Sequence, residues 1–203
     1  MTYKYINNNN TNTNEDKNNK IKEKNEIQIG INIDNKYIYP CLVFLTSLLE
    51  NRAPTTIYNI HIMTSSNIKK DYVNKINSLI KKYGKDYLKI KYYNMKNDFK
   101  GAIGTHISTA AYYRIALPSL LPNIDKIIYS DTDVINFADL TEMYNLELKD
   151  KTYFMGILDD LGLLHELRSL GIYTDKYINS GILLMNLKAM RKNGIEKKIR
   201  KYI

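Results

Sequence analysis

The chain has 203 residues, 44% hydrophobic and 25% charged, which is ordinary usage for one globular domain and excludes a chain too polar to build a core. Thirty Lys and Arg against 21 Asp and Glu leave a net charge of +9, which suits anionic partners in general: phosphorylated small molecules, a lipid surface or nucleic acid. The single cysteine, Cys41, excludes an internal disulfide and fits a reducing compartment.

Residues 1–26 hold nine Asn and almost no apolar side chains. Such a stretch buries too little surface to offset its ordering entropy, so it is expected to be a disordered tail, with the folded domain over 27–203. It lacks the apolar core of a secretory signal. The longest apolar stretch, Tyr37 to Leu49, includes Thr46 and Ser47 and reads as a core helix, too short for a membrane span.

Ile27, Ile29, Ile31 and Ile33 alternate with Gln28, Gly30 and Asn32, predicting a strand that ends at Asp34-Asn35-Lys36-Tyr37. Pro40 sits in the first turn of a predicted helix to about Asn51, where a missing N–H is tolerated. A second strand is predicted over Thr56–Met63. Ser65-Ser66-Asn67 offers a cap for a helix over Ile68–Tyr83, stopped by Gly84. Tyr87–Tyr93 reads as a third strand. A loop follows at Gly101–Thr105, then a helix capped by Ser108 or Thr109 and ended at Pro118. Next come the apolar run from Lys126 into Asp131 and Asp133, a short helix at Leu140–Tyr144, and strands at Tyr153–Leu158 and Tyr177–Leu187. The basic stretch Lys188–Ile203 closes the chain. Alternation at these spacings predicts an α/β fold with a mainly parallel central sheet and flanking helices.

Three predicted strand ends carry acids: Asp34, then Asp131 with Asp133, then Asp159-Asp160. A parallel sheet brings strand ends to one rim, where ligands of open α/β sheets bind. Thirteen Asp in this length give about 0.8 Asp-x-Asp pairs by chance, so the spacing alone also fits a surface turn. On the rim, paired carboxylates make a hard oxygen site suited to Mg²⁺ or Mn²⁺ and, through the metal, to a diphosphate.

From about Ile27 onward the chain resembles the family 8 glycosyltransferases, the group of glycogenin and the bacterial lipopolysaccharide glucosyl- and galactosyltransferases. Five pieces carry the resemblance, in order: Asp34 to Tyr37; Ser47 to Asn51; His106 to Arg114 before a Leu-Pro; Lys126 to Val134; and Asn179 to Leu187. The resemblance implies a GT-A type nucleotide-sugar-binding fold and metal-dependent transfer of a hexose, with retention, from a UDP-sugar to a glycan or lipid-linked sugar acceptor. It implies that Asp131 and Asp133 hold Mn²⁺ (or Mg²⁺) and that Thr132 lies along the ribose and diphosphate. Asp34, with Asn35 beside it, would hold the uracil, and Tyr37 would stack on it. Arg114 would sit near the donor sugar and Asp131. Asp159 or Asp160 would bond the sugar hydroxyls as the catalytic candidates, and Asn179 would face donor or acceptor.

Lys36 departs from an Asn frequent in relatives. The resemblance also implies later segments: a Gln/Asp-containing one beside the reacting carbon, and a His-x-x-Gly one giving a third metal ligand and a lysine to the diphosphate. Neither occurs in these 203 residues, so the expectation is a C-terminally truncated member that binds donor but transfers sugar weakly or not at all. His61, His106 and His165 are poor substitutes for the third ligand. The expected location is cytoplasmic, with peripheral contact at the inner membrane face through Lys188–Ile203, and no nucleic-acid partner. Two other classes fit parts of the pattern. A haloacid-dehalogenase-type phosphatase also has an apolar strand ending in Asp-x-Asp, but in its first strand. A non-catalytic basic module would use the seven basic residues that face one acid in 188–203.

Overall fold

The computed structural model describes residues 24–65, 68–96, 98–99, 109–159, 167–169, 171–174 and 177–203. Six strands form one sheet: β1 (Asn25–Asn32), β2 (Thr56–Thr64), β3 (Leu88–Asn94), β4 (Lys126–Ser130), β5 (Phe154–Leu158) and β6 (Ile178–Asn186). Their order is β3-β2-β1-β4-β6-β5. Pairings among β3, β2, β1 and β4 are parallel, whereas β6 runs antiparallel to both β4 and β5. The predicted α/β class and mainly parallel sheet are what is observed.

Helices cover both faces. On one side lie α1 (Ile38–Glu50), α2 (Lys70–Tyr83) and α4 (Thr141–Asn145). On the other lie a 3₁₀ helix (Thr109–Ala116), α3 (Leu117–Leu120), α5 (Leu187–Lys192) and α6 (Ile195–Ile199). The isoleucine alternation of β1 sends Ile27, Ile29, Ile31 and Ile33 into the first layer, against Phe44, Leu45 and Leu48 of α1. Each such fully buried side chain contributes about 1.5–3 kcal/mol. The opposite parity sends Gly30 and Asn32 toward the second layer, whose core holds Leu117, Ile127, Tyr129, Met185 and Met190. At Gly30 a Cβ would stand 3.3 Å from Leu117 and Ile127 methyls, so glycine lets the 3₁₀–α3 segment approach the sheet.

Several predicted boundaries move. β1 begins at Asn25, inside the predicted tail, because its amide donates to Thr55 O at 3.0 Å and its ladder to β2 starts there; residues 1–23 lie outside the described set. α2 takes no side-chain cap from its own preceding residue; instead the Lys69 amide donates to Asn35 Oδ1 at 3.1 Å. Ser66 and Asn67 are outside the described residues. Gly84 ends α2 as predicted, at φ +97° with its amide on Ile80 O. Pro118 does not end a helix: it sits in the first turn of α3, where its missing N–H needs no partner, and the segment before it is 3₁₀.

The basic C-terminal stretch is partly consumed by the fold. Arg191 donates to the carbonyls of Leu121 and Ile124 at 3.1 and 2.9 Å and pairs with Asp125. Arg200 pairs with Asp98 and Glu196. Lys188 and Lys192 lie near Asp125 and Asp150, leaving Lys197, Lys198 and Lys201 exposed without those partners. Among the described residues no helix is long and apolar enough to cross a membrane.

Candidate functional site

The chain leaves β1 toward β2 and β3 on one side and returns as β4 on the other. The strand order therefore reverses between β1 and β4, whose pairing runs only through Ile29–Ile128 and Gly30–Tyr129 and stops short of both carboxyl ends. The crevice at such a reversal is the usual ligand position in an open α/β sheet. Here it is a cleft of about 210 Å³ lined by Asp34 and Tyr37 after β1, Ala110, Ala111 and Arg114 of the 3₁₀ helix, and Asp131, Thr132 and Asp133 after β4. Asn32 and Tyr129 complete its wall.

Asp131 is the organised acid. Its Oδ1 accepts from the Tyr129 hydroxyl at 2.7 Å and from Arg114 Nη2 at 3.1 Å. Its Oδ2 accepts from no described residue and lies beside Gly181. The Arg114 guanidinium also donates to Ala111 O at 2.8 Å and to Ser180 O, and its plane rests 4.1 Å over the Tyr129 ring. A planar fork serves these three acceptors while lying flat on the ring, a geometry that a compact ammonium cannot reproduce. Burial pushes the Tyr129 hydroxyl pKa far up, so it stays protonated and keeps donating to Asp131. The Asp133 carboxylate stands exposed, two residues on, while Thr132 between them is buried.

On the β1 side, Asp34 Oδ1 accepts the amides of Lys36 and Tyr37 at 2.7 and 3.0 Å, an Asx-type turn that fixes the Tyr37 backbone and leaves the ring half exposed beside the cleft.

A divalent cation fits this donor set. Asp131 Oδ2, on the carboxylate whose other oxygen pairs with Arg114, and the exposed Asp133 carboxylate are hard oxygen donors, and Mg²⁺-type ions are commonly held by one or two carboxylates plus substrate phosphates. No group of three or more His, Cys, Asp or Glu suited to a metal occurs among the described residues.

Residues 28–203 match the family described as Glycosyl transferase family 8. The chain belongs to this family. It is 27% identical over 176 residues to General stress protein A of Bacillus subtilis, covering 84% of this chain and 59% of that protein. It is 24% identical over 173 residues to the lipopolysaccharide 1,2-glucosyltransferase of Escherichia coli, covering 82% and 49%. Among solved structures, the bifunctional glycosyltransferase WbbM superposes with a TM-score of 0.70 at 17% identity, over 85% of this chain and 33% of that one. The galactosyltransferase LgtC, in complex with donor and acceptor sugar analogs, superposes at 0.67 with 24% identity, over 82% and 60%. At such identities the likeness shows the fold, which is GT-A. This family 8 chain spans only about half to three fifths of the length of these two relatives.

The fold brings six of the predicted residues into the cleft: Asp34, Tyr37, Arg114, Asp131, Thr132 and Asp133. Asn35 is not among its lining residues; its side chain turns to the start of α2. Asp159 and Asn179 stand farther along the same rim, joined by a 3.3 Å bond from Asn179 Nδ2 to Asp159 Oδ2. They reach that rim for different reasons. β5 runs parallel to β4, two antiparallel steps away, so its end lies there, whereas antiparallel β6 begins there. Asp160, His106 and His165 lie outside the described residues. His61 is buried in β2, with Nδ1 on the Tyr93 hydroxyl at 3.0 Å and Nε2 on Gln28 Oε1 at 2.9 Å, so both ring nitrogens are already engaged.

The sequence reading did not single out Asn32 or Tyr129. A signal existed for both. Asn32 is an amide closing an isoleucine alternation, and Tyr129 is a hydroxyl two residues before Asp131, hence on the same side of a strand.

Proposed function

We propose that this chain binds a UDP-sugar through a divalent cation, Mn²⁺ or Mg²⁺, and belongs to an enzyme that transfers a hexose with retention to a glycan or lipid-linked sugar. The single observation that carries the reading is the cleft at the strand-order reversal, with Asp131, Asp133 and Arg114 on one wall and Asp34 and Tyr37 on the other. Asp131 Oδ2 and Asp133 would hold the cation. When bound, it supplies positive charge next to the diphosphate whose negative charge grows as the sugar departs.

The chain's own residues do the rest. Asp34 accepts from a nucleobase N–H, and the exposed face of Tyr37 offers a stacking surface. Arg114 holds Asp131 and the start of β6 at a fixed separation. Asp159 and Asn179, tied to each other on the rim, would bond sugar hydroxyls. The name of the Escherichia coli relative supports a lipopolysaccharide-type acceptor. A cytoplasmic location, with the exposed lysines Lys197, Lys198 and Lys201 against the inner membrane face, is part of the same proposal.

Titration calorimetry of UDP with Mn²⁺ and with chelator tests it. Binding is expected only with the metal, and Asp133→Ala is expected to abolish it. Equal binding in chelator, or an unaffected Asp133→Ala variant, overturns the reading.

A further inference from the structure

We infer that Asn32 and Tyr129 are positioning residues that set the presentation of Asp131 to the cation, through a hydrogen-bond chain running from the 3₁₀ helix to the carboxylate. The inference rests on the donor reading above and concerns two residues of the cleft wall that act through Asp131.

The direction of the chain is fixed by what each atom can do. The Ala110 carbonyl can only accept, and it lies 2.7 Å from Asn32 Nδ2, so the amide nitrogen must face it. The second proton of that nitrogen goes to the Tyr129 oxygen at 3.0 Å. With its lone pair so used, the Tyr129 hydroxyl turns its own proton to Asp131 Oδ1 at 2.7 Å, and a carboxylate accepts it. Arg114 takes the same oxygen from the other side.

Two donors on Oδ1 lock the carboxylate's rotation and leave Oδ2 as the presented oxygen. Gly181 keeps that side open: a Cβ there would stand 3.0 Å from Oδ2. The arrangement also carries a cost. Asn32 Oδ1 is buried with no partner, a defect that costs about 1–3 kcal/mol. An aliphatic residue would avoid it but could not donate to both Ala110 and Tyr129. Partners of this kind behind a metal ligand typically change metal affinity about 10- to 100-fold.

The test is Mn²⁺-dependent UDP binding by calorimetry, with free Mn²⁺ followed by paramagnetic resonance, on the full 203-residue chain. Tyr129→Phe keeps the ring beneath Arg114 and removes only the hydroxyl. It is expected to weaken metal-dependent binding about tenfold and to lower the melting temperature by only a few degrees, since Asn32 Nδ2 loses one of its two acceptors. Asn32→Ser, which also relieves the orphaned acceptor, is expected to act in the same direction, and the double variant to be no weaker than Tyr129→Phe alone, because the two act in series. A wild-type chain that needs Mn²⁺, with Tyr129→Phe within twofold of it, overturns this inference and leaves the donor reading standing. Fully additive effects overturn it as well. A wild-type chain that binds UDP equally in chelator overturns the donor reading itself. Should Tyr129→Phe not fold, Asn32→Ser alone decides: equal metal-dependent affinity overturns the inference and a loss supports it.

Discussion

Gly181 and Asp131 face each other across the β4–β6 junction: the Asp131 amide donates to the Gly181 carbonyl at 2.7 Å, and the space where a Cβ of residue 181 would lie is bounded by Asp131 Oδ2 at 3.0 Å and Asn179 Oδ1 at 2.9 Å. Both obstacles are ends of side chains, so the fold can absorb Gly181→Ala by moving them. The moved groups are the ones the site uses. The variant is expected to melt within a few degrees of the wild type and to lose roughly tenfold or more in Mn²⁺-dependent UDP affinity. An unchanged affinity would show that Asp131 Oδ2 holds no cation.

Arg200 ties the C-terminal helix to the segment leading toward the cleft. Its guanidinium meets both Asp98 oxygens at 2.7 and 3.2 Å, takes Glu196 Oε1 at 2.9 Å, and lies 4.0 Å over the Phe99 ring. Glu196 in turn accepts from the Ser119 amide and hydroxyl. The pair is about a third exposed on each side, so solvent screens part of its worth. Arg200→Lys keeps the charge but loses the fork and the stacking. It is expected to cost about 1 kcal/mol, or roughly 2–4 °C in melting temperature for a domain of this size. A melting curve superimposable on the wild type would show the clamp to be incidental.

The sequence made the strands and the acids legible because both are local signals. A period-two isoleucine run is a strand wherever it sits, and an acid after it is a strand-end acid. Asn179 was readable only through the family resemblance, since β6 is antiparallel and its beginning, not its end, reaches the rim. Nothing local announces strand direction. Asn35 sits in the predicted turn, but its side-chain oxygen also serves the amide of Lys69, 34 positions away, a link no local pattern announces. Tyr129 was hidden by its success as a core residue, fully buried and polar only at the tip. Arg191 and Arg200 looked like surface charge until the carbonyls and acids beneath them came from elsewhere in the chain.

The N-terminal boundary gives a sharp contrast between two deletions. Removal of residues 1–24 leaves every β1–β2 pairing intact, beginning at Asn25 with Thr56. It is expected to shift the melting temperature by no more than a degree or two. Removal of 1–26 takes away the Asn25 amide bond to Thr55 O and leaves Ile27, now fully buried, at a raw chain end. The lost Glu26–Lys89 pair is half exposed and contributes little. The lost ladder should cost roughly 1–2 kcal/mol, a drop of several degrees. Equal melting of the two truncated chains would show that the strand effectively starts at Ile27.

His61 makes stability depend on pH in a window set by its burial. Burial first, and the Lys91 charge second, pull its pKa down from 6.5 to about 4 in the folded protein. The neutral ring, donating from Nε2 to Gln28 and accepting at Nδ1 from the Tyr93 hydroxyl, satisfies both neighbours. Above about pH 6.5 neither state binds a proton at this ring and the contribution is complete. Between there and pH 4 the unfolded chain takes up the proton and the folded one does not, so stability falls as pH falls, by up to about 3 kcal/mol in all. His61→Gln removes the titrating ring. Urea midpoints at pH 7.5 and pH 4.5 are expected to differ much less in the variant than in the wild type. The acid groups that titrate in the same range are common to both chains and cancel in the comparison. Parallel pH profiles for the two would show that His61 is accessible to protons in the folded state.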